Sequence, residues 1–440
     1  PSSLIGIGPQ AFADCTSLTS VHIPNSVNAI GESAFYGCIG LKGITLPNGI
    51  TQIGERVFSG CTSLKRVAVP GNVSVIGESA FHNCSSLTNI TIPSSVTTIG
   101  NYAFHYCTAL ANVNIPSGVT TLGNYAFGVC TALTSVTIPG SVDSIGYYAF
   151  SHCTGLTSVA MPHGINVIRT GMFAGCSRLT SITIPNGVTA IEDAAFEVCT
   201  SLTNIVLPKG VTTIGIRAFN TCTGLTSVVL PDSIVTIGVG AFEFCTGLTS
   251  LVLPNDLTTI RSSTFTGCTG LTKVTIPGDV ARIEAGAFGG CTGLTSVTIP
   301  SSVSHVGDGA FSFCTSLTGL YFQGNAPEDS GSVLKGTPHL IVHFLPSATG
   351  WRADFFGRPT ALWSRPLIQA DASGVGAASD GFGLLIAWTP GVSFVMEASS
   401  SLGSLDWTPI GTSFFIDGSS QFTDQQWTNH PTRVYRLILP

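Results

Sequence analysis

The segment LTSVTIPGSVDSIGYYAFSHCTG, residues 133–155, decides the fold because its pattern recurs along most of the chain without insertions. Cysteines recur every 23 residues, from Cys15 through Cys153 to Cys314. Phenylalanines keep the same step, from Phe12 through Phe150 to Phe311. A unit this short cannot bury its apolar side chains alone, so neighbouring copies must stack like on like. The sequence therefore predicts a solenoid of 14 repeats over residues 1–320, with Phe and Cys ladders inside.

Each unit contains one clear strand signal. In the stretch from Leu133 to Ile138 the β-branched residues Val136 and Ile138 keep a period of two, which predicts a short strand. Pro139 recurs in thirteen repeats and ends the strand, since proline cannot donate to a ladder. Val142 and Ile145 then follow a second side of the coil. We expect right-handed 23-residue coils with a parallel strand face, mostly β, and an irregular or short helical convex side.

The repeat core Lxx[VIL]x[VIL]P resembles the strand segment of leucine-rich repeats. The longer pattern IPxxVxxIGxxAFxxCxxL, with Ser or Gly common at the ninth position, looks like the BspA-like bacterial class over about 320 residues. This resemblance implies a secreted or surface protein that acts as an adhesin or host-protein binder. We therefore expect an extracellular or bacterial cell-surface location.

Composition excludes several classes of protein. The chain has 440 residues, 44% of them apolar and 9% charged, with a net charge of −6 and no basic run. Nucleic acid is therefore not an expected partner, because nothing is present to neutralise a phosphate backbone. Polar residues interrupt every apolar stretch before the ~18 residues that a spanning helix needs, so we predict no membrane span.

The cysteine spacing predicts a ladder of buried free thiols. Stacked copies place Cβ atoms about 4.8 Å apart on parallel vectors, whereas a disulfide needs converging Cβ atoms about 3.8 Å apart. Every cysteine has thirteen equivalents, while a catalytic nucleophile should be singular and have a base beside it. Because GxSxG and HExxH are also absent from the sequence, we predict no enzyme activity and no cofactor.

Two polar columns are candidates for binding a cation. His82 and His105 occupy equivalent positions in adjacent coils, which predicts two solvated histidines or, as the alternative, a surface metal pair. Glu32, Glu55 and Glu78 form a like-charge column that could attract a cation. No CxxC spacing occurs, because the cysteines are 23 residues apart, so we predict no metal site.

The outward positions of the predicted strand face are mostly Thr, Ser and Asn. Thr134 belongs to one threonine row and Thr137 to a second. The β-propensity of threonine explains such rows, although their regularity leaves ice binding as an alternative. Lys42, Lys65 and Arg66 add a positive patch, which favours either an acidic partner or an ordinary solvated pair.

Five of the eight tyrosines fall within three coils. Tyr102, Tyr125 and Tyr148 share one repeat position, with Tyr106 and Tyr147 beside them. We expect an exposed strip, which is either a binding hot spot for a protein or a sugar or a stacked ladder that stabilises one edge of the solenoid.

The repeat ends near residue 321. At Gln323 the strand-ending proline is missing, and Thr337 stands where the next cysteine is due. We expect residues 321–365 to cap the core, with Leu340 to Phe344 as a last strand. The bulk for the cap comes from four aromatic side chains: Trp351, Phe355, Phe356 and Trp363.

Residues 366–440 predict a small all-β sandwich. The expected strands are Leu384 to Trp388, Ser393 to Ala398, Trp407 to Ile410 and Val434 to Leu439. The string VMEASSSLGSLDWTPIG resembles a C-terminal module of exported proteins from environmental bacteria, which implies export. Trp407 and Trp427 face either a sugar or the core of this module.

These features together predict a non-enzymatic recognition or adhesion protein. A protein or glycan partner would bind the strand face and the tyrosine strip. The alternative is a structural spacer or a self-associating surface array that the C-terminal module anchors.

Overall fold

The computed structural model describes residues 3–328, 331–363, 367–369, 376–378, 381–387, 393–399, 407–414, 419–424 and 434–438. The repeats form a parallel-strand solenoid of about 15 turns. Equivalent residues of successive coils are paired, as Val136 is with Val159. The strands of the main face are Gly43–Thr45, Arg66–Ala68, Asn89–Thr91, Asn112–Asn114, Ser135–Thr137, Ser158–Ala160, Asn204–Val206, Ser227–Val229, Ser250–Val252, Lys273–Thr275 and Ser296–Ile299.

A second series of two-residue strands follows the other side of the coils. Each pairs in parallel with its neighbour, as Leu122 does with Ile145. These strands are Gly6–Ile7, Ala29–Ile30, Gln52–Ile53, Val75–Ile76, Thr98–Ile99, Thr121–Leu122, Ser144–Ile145, Val167–Ile168, Ala190–Ile191, Thr213–Ile214, Thr236–Ile237, Thr259–Ile260, Arg282–Ile283 and His305–Val306.

A phenylalanine ladder fills the centre. Neighbouring rings from Phe12 to Phe311 stack with centroids 5.2 to 6.0 Å apart. Beside the ladder each thiol from Cys38 to Cys314 donates to a phenylalanine carbonyl 26 residues earlier, as Cys153 does to Phe127 at 3.1 Å. The prediction of buried free thiols is confirmed from Cys38 to Cys314, whereas Cys15, in the first coil described, is exposed.

The third side of each coil is a turn segment held by two alternating sets of hydrogen bonds. Tyr125 N–H donates to the Tyr147 carbonyl of the next coil at 2.9 Å, while Gly128 N–H donates back to Tyr125 at 3.0 Å. No helix occurs in the described residues. We expected the convex side to be irregular or to contain short helices, and it is irregular.

This alternation places two residues per coil in the left-handed region. They are the positions of Tyr148 and His152, with φ of 56° and 55°. Glycine occupies these positions in only some coils, and the non-glycine residues have φ between 52° and 62°. Such angles are uncommon for residues other than Gly, Asn and Asp. The backbone hydrogen bonds between successive coils therefore hold these residues in the left-handed region.

The parallel face continues beyond the regular repeats. Ser296–Ile299 pairs with Gly319–Phe322, which pairs with Ile341–Phe344. We expected Leu340 to Phe344 to be the last strand, but Arg358–Leu362 adds one more and also pairs with antiparallel Asp354–Phe355. Thr337 is fully buried in place of a cysteine, and its hydroxyl donates to the Leu334 carbonyl at 2.7 Å.

The described part of the C-terminal region forms two antiparallel sheets. One contains Leu367–Gln369, Gly376–Ala378, Gly381–Ala387 and Ser419–Asp424, and the other contains Ser393–Ser399, Thr408–Phe414 and Val434–Ile438. A small all-β module is therefore confirmed. The expected positions Trp388, Trp427 and Leu439 lie outside the described residues.

Candidate functional site

The strand face exposes three columns of side chains and buries the one between them. Ser135 and Thr137 are exposed and Val136 is buried, and the same pattern recurs in most strands of this face. Thr134, one residue before the strand, is also exposed. Because the buried column anchors each strand in the core, the three outward columns form a rigid surface that a partner can meet.

The two threonine rows have different roles. In the row of Thr134, hydroxyls donate to the carbonyl one coil back, as Thr157 does to Thr134 at 3.0 Å. The same bond is made by Thr88, Thr180, Thr203, Thr226, Thr249, Thr272 and Thr318. Within the described residues, the hydroxyl of Thr137 in the second row has no partner in the protein. The first row therefore stabilises the stack, and the second faces solvent.

The predicted positive patch lies together on this face. Lys42 and Lys65 are adjacent, since Lys65 N–H donates to the Lys42 carbonyl at 3.1 Å, and Arg66 is in register with Gly43. All three side chains are exposed. Arg66 lines a groove of about 490 Å³ whose floor includes Gly43 and Ala68. Small residues thus leave room for a ligand group beside the guanidinium.

The outward columns of the strand face carry no Asp or Glu in any repeat. Their cationic side chains are Lys42, Lys65, Arg66 and Lys273. The acidic residues of the repeats, including Glu32, Asp143 and Asp308, lie at other positions of the coil. A protein with a net charge of −6 therefore has one face on which every charged side chain is positive.

The predicted tyrosine column is a stacked ladder on the turn side. Tyr125 lies between Tyr102 at 5.1 Å and Tyr148 at 4.8 Å, with rings within 7° of parallel. These three rings are half-buried rather than exposed as expected, whereas Tyr106 and Tyr147 are each 45% exposed. Since stacking covers the ring faces, the ladder presents ring edges and hydroxyls to a partner.

His82 and His105 are less solvated than predicted. Both are half-buried, and their rings stack at 5.4 Å. The ring of His105 also packs edge-on against two tyrosine rings. Its centroid lies 4.3 Å from that of Tyr106 and 5.5 Å from that of Tyr125. Its Nδ1 is buried without a partner. Burial, with His82 and His152 nearby, lowers the pKa of His105 to about 4, so the ring is neutral at pH 7.

The glutamate column contacts a cationic side chain of its own. Glu55 pairs with the neighbouring Arg56 at 3.2 Å, and both side chains are largely exposed. No group of three or more potential metal ligands occurs in the part of the chain that the structure describes.

Residues 1–111, 76–203 and 189–318 match the family described as BspA type Leucine rich repeat region, in six copies. The chain belongs to this family. A leucine-rich repeat protein from Bacteroides ovatus is 29% identical, with a TM-score of 0.61, and the match covers 73% of this chain and 92% of that one.

A second solved structure similar to this chain is described as a leucine rich cell surface protein from Faecalibacterium prausnitzii. It is 32% identical, with a TM-score of 0.48, over 73% of this chain and 84% of that one. No curated protein matches the chain significantly.

Thiol chemistry in this BspA-type chain is suppressed by burial. Desolvation raises the pKa of Cys107 and Cys153 to about 12. A thiolate is the reactive form of cysteine, so these ladder thiols stay protonated and unreactive at neutral pH.

Sequence reasoning missed an aromatic cluster at the far end of the strand face. Tyr321 stacks on His343 at 4.7 Å and approaches Trp363 at 5.2 Å. Tyr321 continues the column of Thr298, with which it is in register. The replacement of Thr by Tyr in this column could have indicated the cluster from the sequence. Tyr321, however, lies where the repeat pattern fails, so its neighbours could not be inferred from the 23-residue spacing. Only the folded chain brings the three rings together.

Proposed function

We propose that this BspA-type chain is a non-enzymatic recognition protein that binds a protein or glycan partner through its strand face. The observation that carries the proposal is the one-sided charge of that face, where exposed lysine and arginine stand among hydroxyl groups and carboxylates are absent from the sequence positions that form it. The proposal includes an extracellular or bacterial cell-surface location, in line with the family. None of the described segments is an apolar helix of membrane-spanning length.

The concentration of positive charge on one face supports binding, because it attracts an oppositely charged partner before the two surfaces touch. A surface patch of a single sign steers an oppositely charged partner and raises the association rate. Lys42 lies one coil before Lys65 and Arg66, and adjacent coils are about 4.8 Å apart. The positive electrostatic potentials of the three side chains therefore add over the same part of the face. A partner with an acidic patch fits this end of the face.

The test is a binding panel of purified matrix proteins and polysaccharides against the full chain. We expect saturable binding that weakens with salt. Changing Lys42, Lys65 and Arg66 to Gln should reduce the association rate at least tenfold for the partner that binds there. Arg282→Gln, a matched change of an exposed arginine in the second strand series, should leave binding unchanged. Equal binding by the triple variant and the parent would contradict the proposal.

A second candidate function is self-association, which one apolar column favours. Val206, Val229 and Val252 are adjacent on the strand face and are 66%, 58% and 71% exposed. Exposed contiguous apolar side chains mark association sites. Analytical ultracentrifugation should then show oligomers that Val229→Lys dissociates. A monomer at all concentrations would exclude this candidate.

A further inference from the structure

A groove of about 610 Å³ lies on the strand face close to its C-terminal end. Lys273, Thr275, Ser296, Thr298 and Gln323 line it. Its volume lies in the range of small-ligand sites. The groove coincides with an interruption of the strand ladder, because Lys273–Thr275 and Ser296–Ile299 belong to separate hydrogen-bonded sheets. It is remote in sequence from the patch of Lys42, Lys65 and Arg66.

The strand that follows the groove carries an aromatic ring. Tyr321 is in register with Thr298, and one face of its ring stacks on His343 with an interplanar angle of 10°. Gly319 is buried under this ring, because a Cβ there would lie only 2.5 Å from Tyr321 Cε2. On the side of the groove the neighbouring residues are the small Ser296 and Thr298, so among the described residues no aromatic ring covers that face of Tyr321.

The polar groups of the groove are free to bind a ligand. Within the described chain the hydroxyls of Thr275, Ser296 and Thr298 have no hydrogen-bond partner in the protein. Thr272 differs, since its hydroxyl donates to the Thr249 carbonyl at 3.0 Å. Lys273 is exposed, and none of the described residues that line the groove is acidic. The groove thus offers hydroxyls that donate and accept, one amide and one cation.

We propose that this groove binds a saccharide that carries a carboxylate. A sugar ring packs its C–H face on Tyr321, its hydroxyls bond to Thr275, Ser296, Thr298 and Gln323, and its carboxylate pairs with Lys273. The strands of Lys273 and Tyr321 are two apart, about 10 Å, which suits a short oligosaccharide. A peptide fits less well, because the groove has hydroxyls where an apolar side chain would need a pocket. The inference deepens the proposed function, since it uses the same face.

The experiment is calorimetric titration of the full chain with oligogalacturonic acid and with the corresponding neutral galacto-oligosaccharide. We expect the acidic sugar to bind at least tenfold more tightly than the neutral one. Tyr321→Ser should weaken both by about tenfold, as expected for loss of a stacked ring. Lys273→Gln should weaken only the acidic sugar, and the difference should shrink with added salt.

Two further variants separate binding from folding. Thr298→Arg fills the groove beside the exposed face of Tyr321 and should abolish binding, while the thermal midpoint stays near that of the parent because residue 298 is exposed. Lys65→Gln, at the remote patch, should leave sugar binding unchanged. Failure of both sugars to bind, or unchanged binding in Tyr321→Ser and Thr298→Arg, would overturn this inference. Protein binding that depends on Lys42, Lys65 and Arg66 would then still support the proposed function. The absence of binding at both the groove and this patch would contradict the proposed function as well as the inference.

Discussion

The ring of Tyr148 occupies the space that a Cβ on Gly171, one coil further along, would take. The stack of Tyr102, Tyr125 and Tyr148 therefore ends on a glycine that has φ of 61°. We expect Gly171→Ala to lower the free energy of unfolding by about 2–4 kcal/mol, since it adds a left-handed alanine to a displaced ring. Urea unfolding followed by circular dichroism measures the change.

Gly286→Ala is the matched control for this substitution. Gly286 occupies the same repeat position with φ of 65°, and a Cβ there would meet only hydroxyls, the nearest at 3.4 Å. This substitution should lower the free energy of unfolding by about 1 kcal/mol, which is the effect of placing alanine in the left-handed region without displacing a ring. Equal losses in the two variants would show that the ring of Tyr148 does not rest on Gly171.

Thiol accessibility should single out one of the fourteen cysteines. In a folded chain of residues 1–440 at pH 8 we expect one thiol, Cys15, to react with a disulfide reagent within minutes, because the other thirteen are buried. Burial raises the pKa of thiols such as Cys61 to about 12, which suppresses the reactive thiolate further. Cys15→Ser should remove the fast phase, and full reaction should require denaturant. Several fast thiols in the native state would contradict the ladder.

Acid should destabilise the aromatic cluster around His105. The folded pKa of about 4 lies below the ordinary 6.5, so between these values the unfolded chain takes up a proton that the folded chain does not. Stability is therefore present above pH 6.5 and falls as the pH drops towards 4. We expect this one ring to account for about 1–2 kcal/mol, allowing for solvent screening of a half-buried group.

Denaturant midpoints at pH 7.5 and pH 4.5 measure this effect. His105→Phe keeps the ring contacts but cannot be protonated, so its midpoint should fall less on acidification than that of the parent. His163→Asn changes an exposed histidine and should fall as much as the parent does. An equal fall in His105→Phe and the parent would refute the assignment to His105.

The two threonine rows should respond differently to loss of the hydroxyl. Thr157→Val removes the donor to the Thr134 carbonyl and should cost about 1 kcal/mol. Thr137→Val removes a hydroxyl that has no partner among the described residues and should change stability by less than about 0.5 kcal/mol. Thermal unfolding of both variants tests the contrast, and a larger loss in Thr137→Val would reverse the assigned roles.

Much of the fold could be predicted because the repeat reduces it to one local problem. A unit with buried Val136, Phe150 and Cys153 has to stack, and identical neighbours stack in register. The strand, the turn after Pro139 and the free-thiol ladder all follow from that translation. The positive patch of Lys42, Lys65 and Arg66 follows as well, since residues one repeat apart become neighbours in space.

The half-buried state of His105 could not be predicted, because residues of one coil enclose its ring together with those of the next. Left-handed backbone at Tyr125 was equally unpredictable, since inter-coil hydrogen bonds impose it against the preference of the side chain. The strand Arg358–Leu362 and the cluster of Tyr321, His343 and Trp363 lie where the repeat pattern fails, and there contacts distant in sequence choose the conformation.

The sequence by itself determined the periodic part of this protein: the solenoid, its ladders and the sign of the charge on its strand face. These follow from residue type and spacing, because a repeat copies every local preference along the axis. Tertiary structure alone decided which rings are covered, which hydroxyls are already bonded and where a groove opens, since each depends on contacts between coils and at the end of the stack.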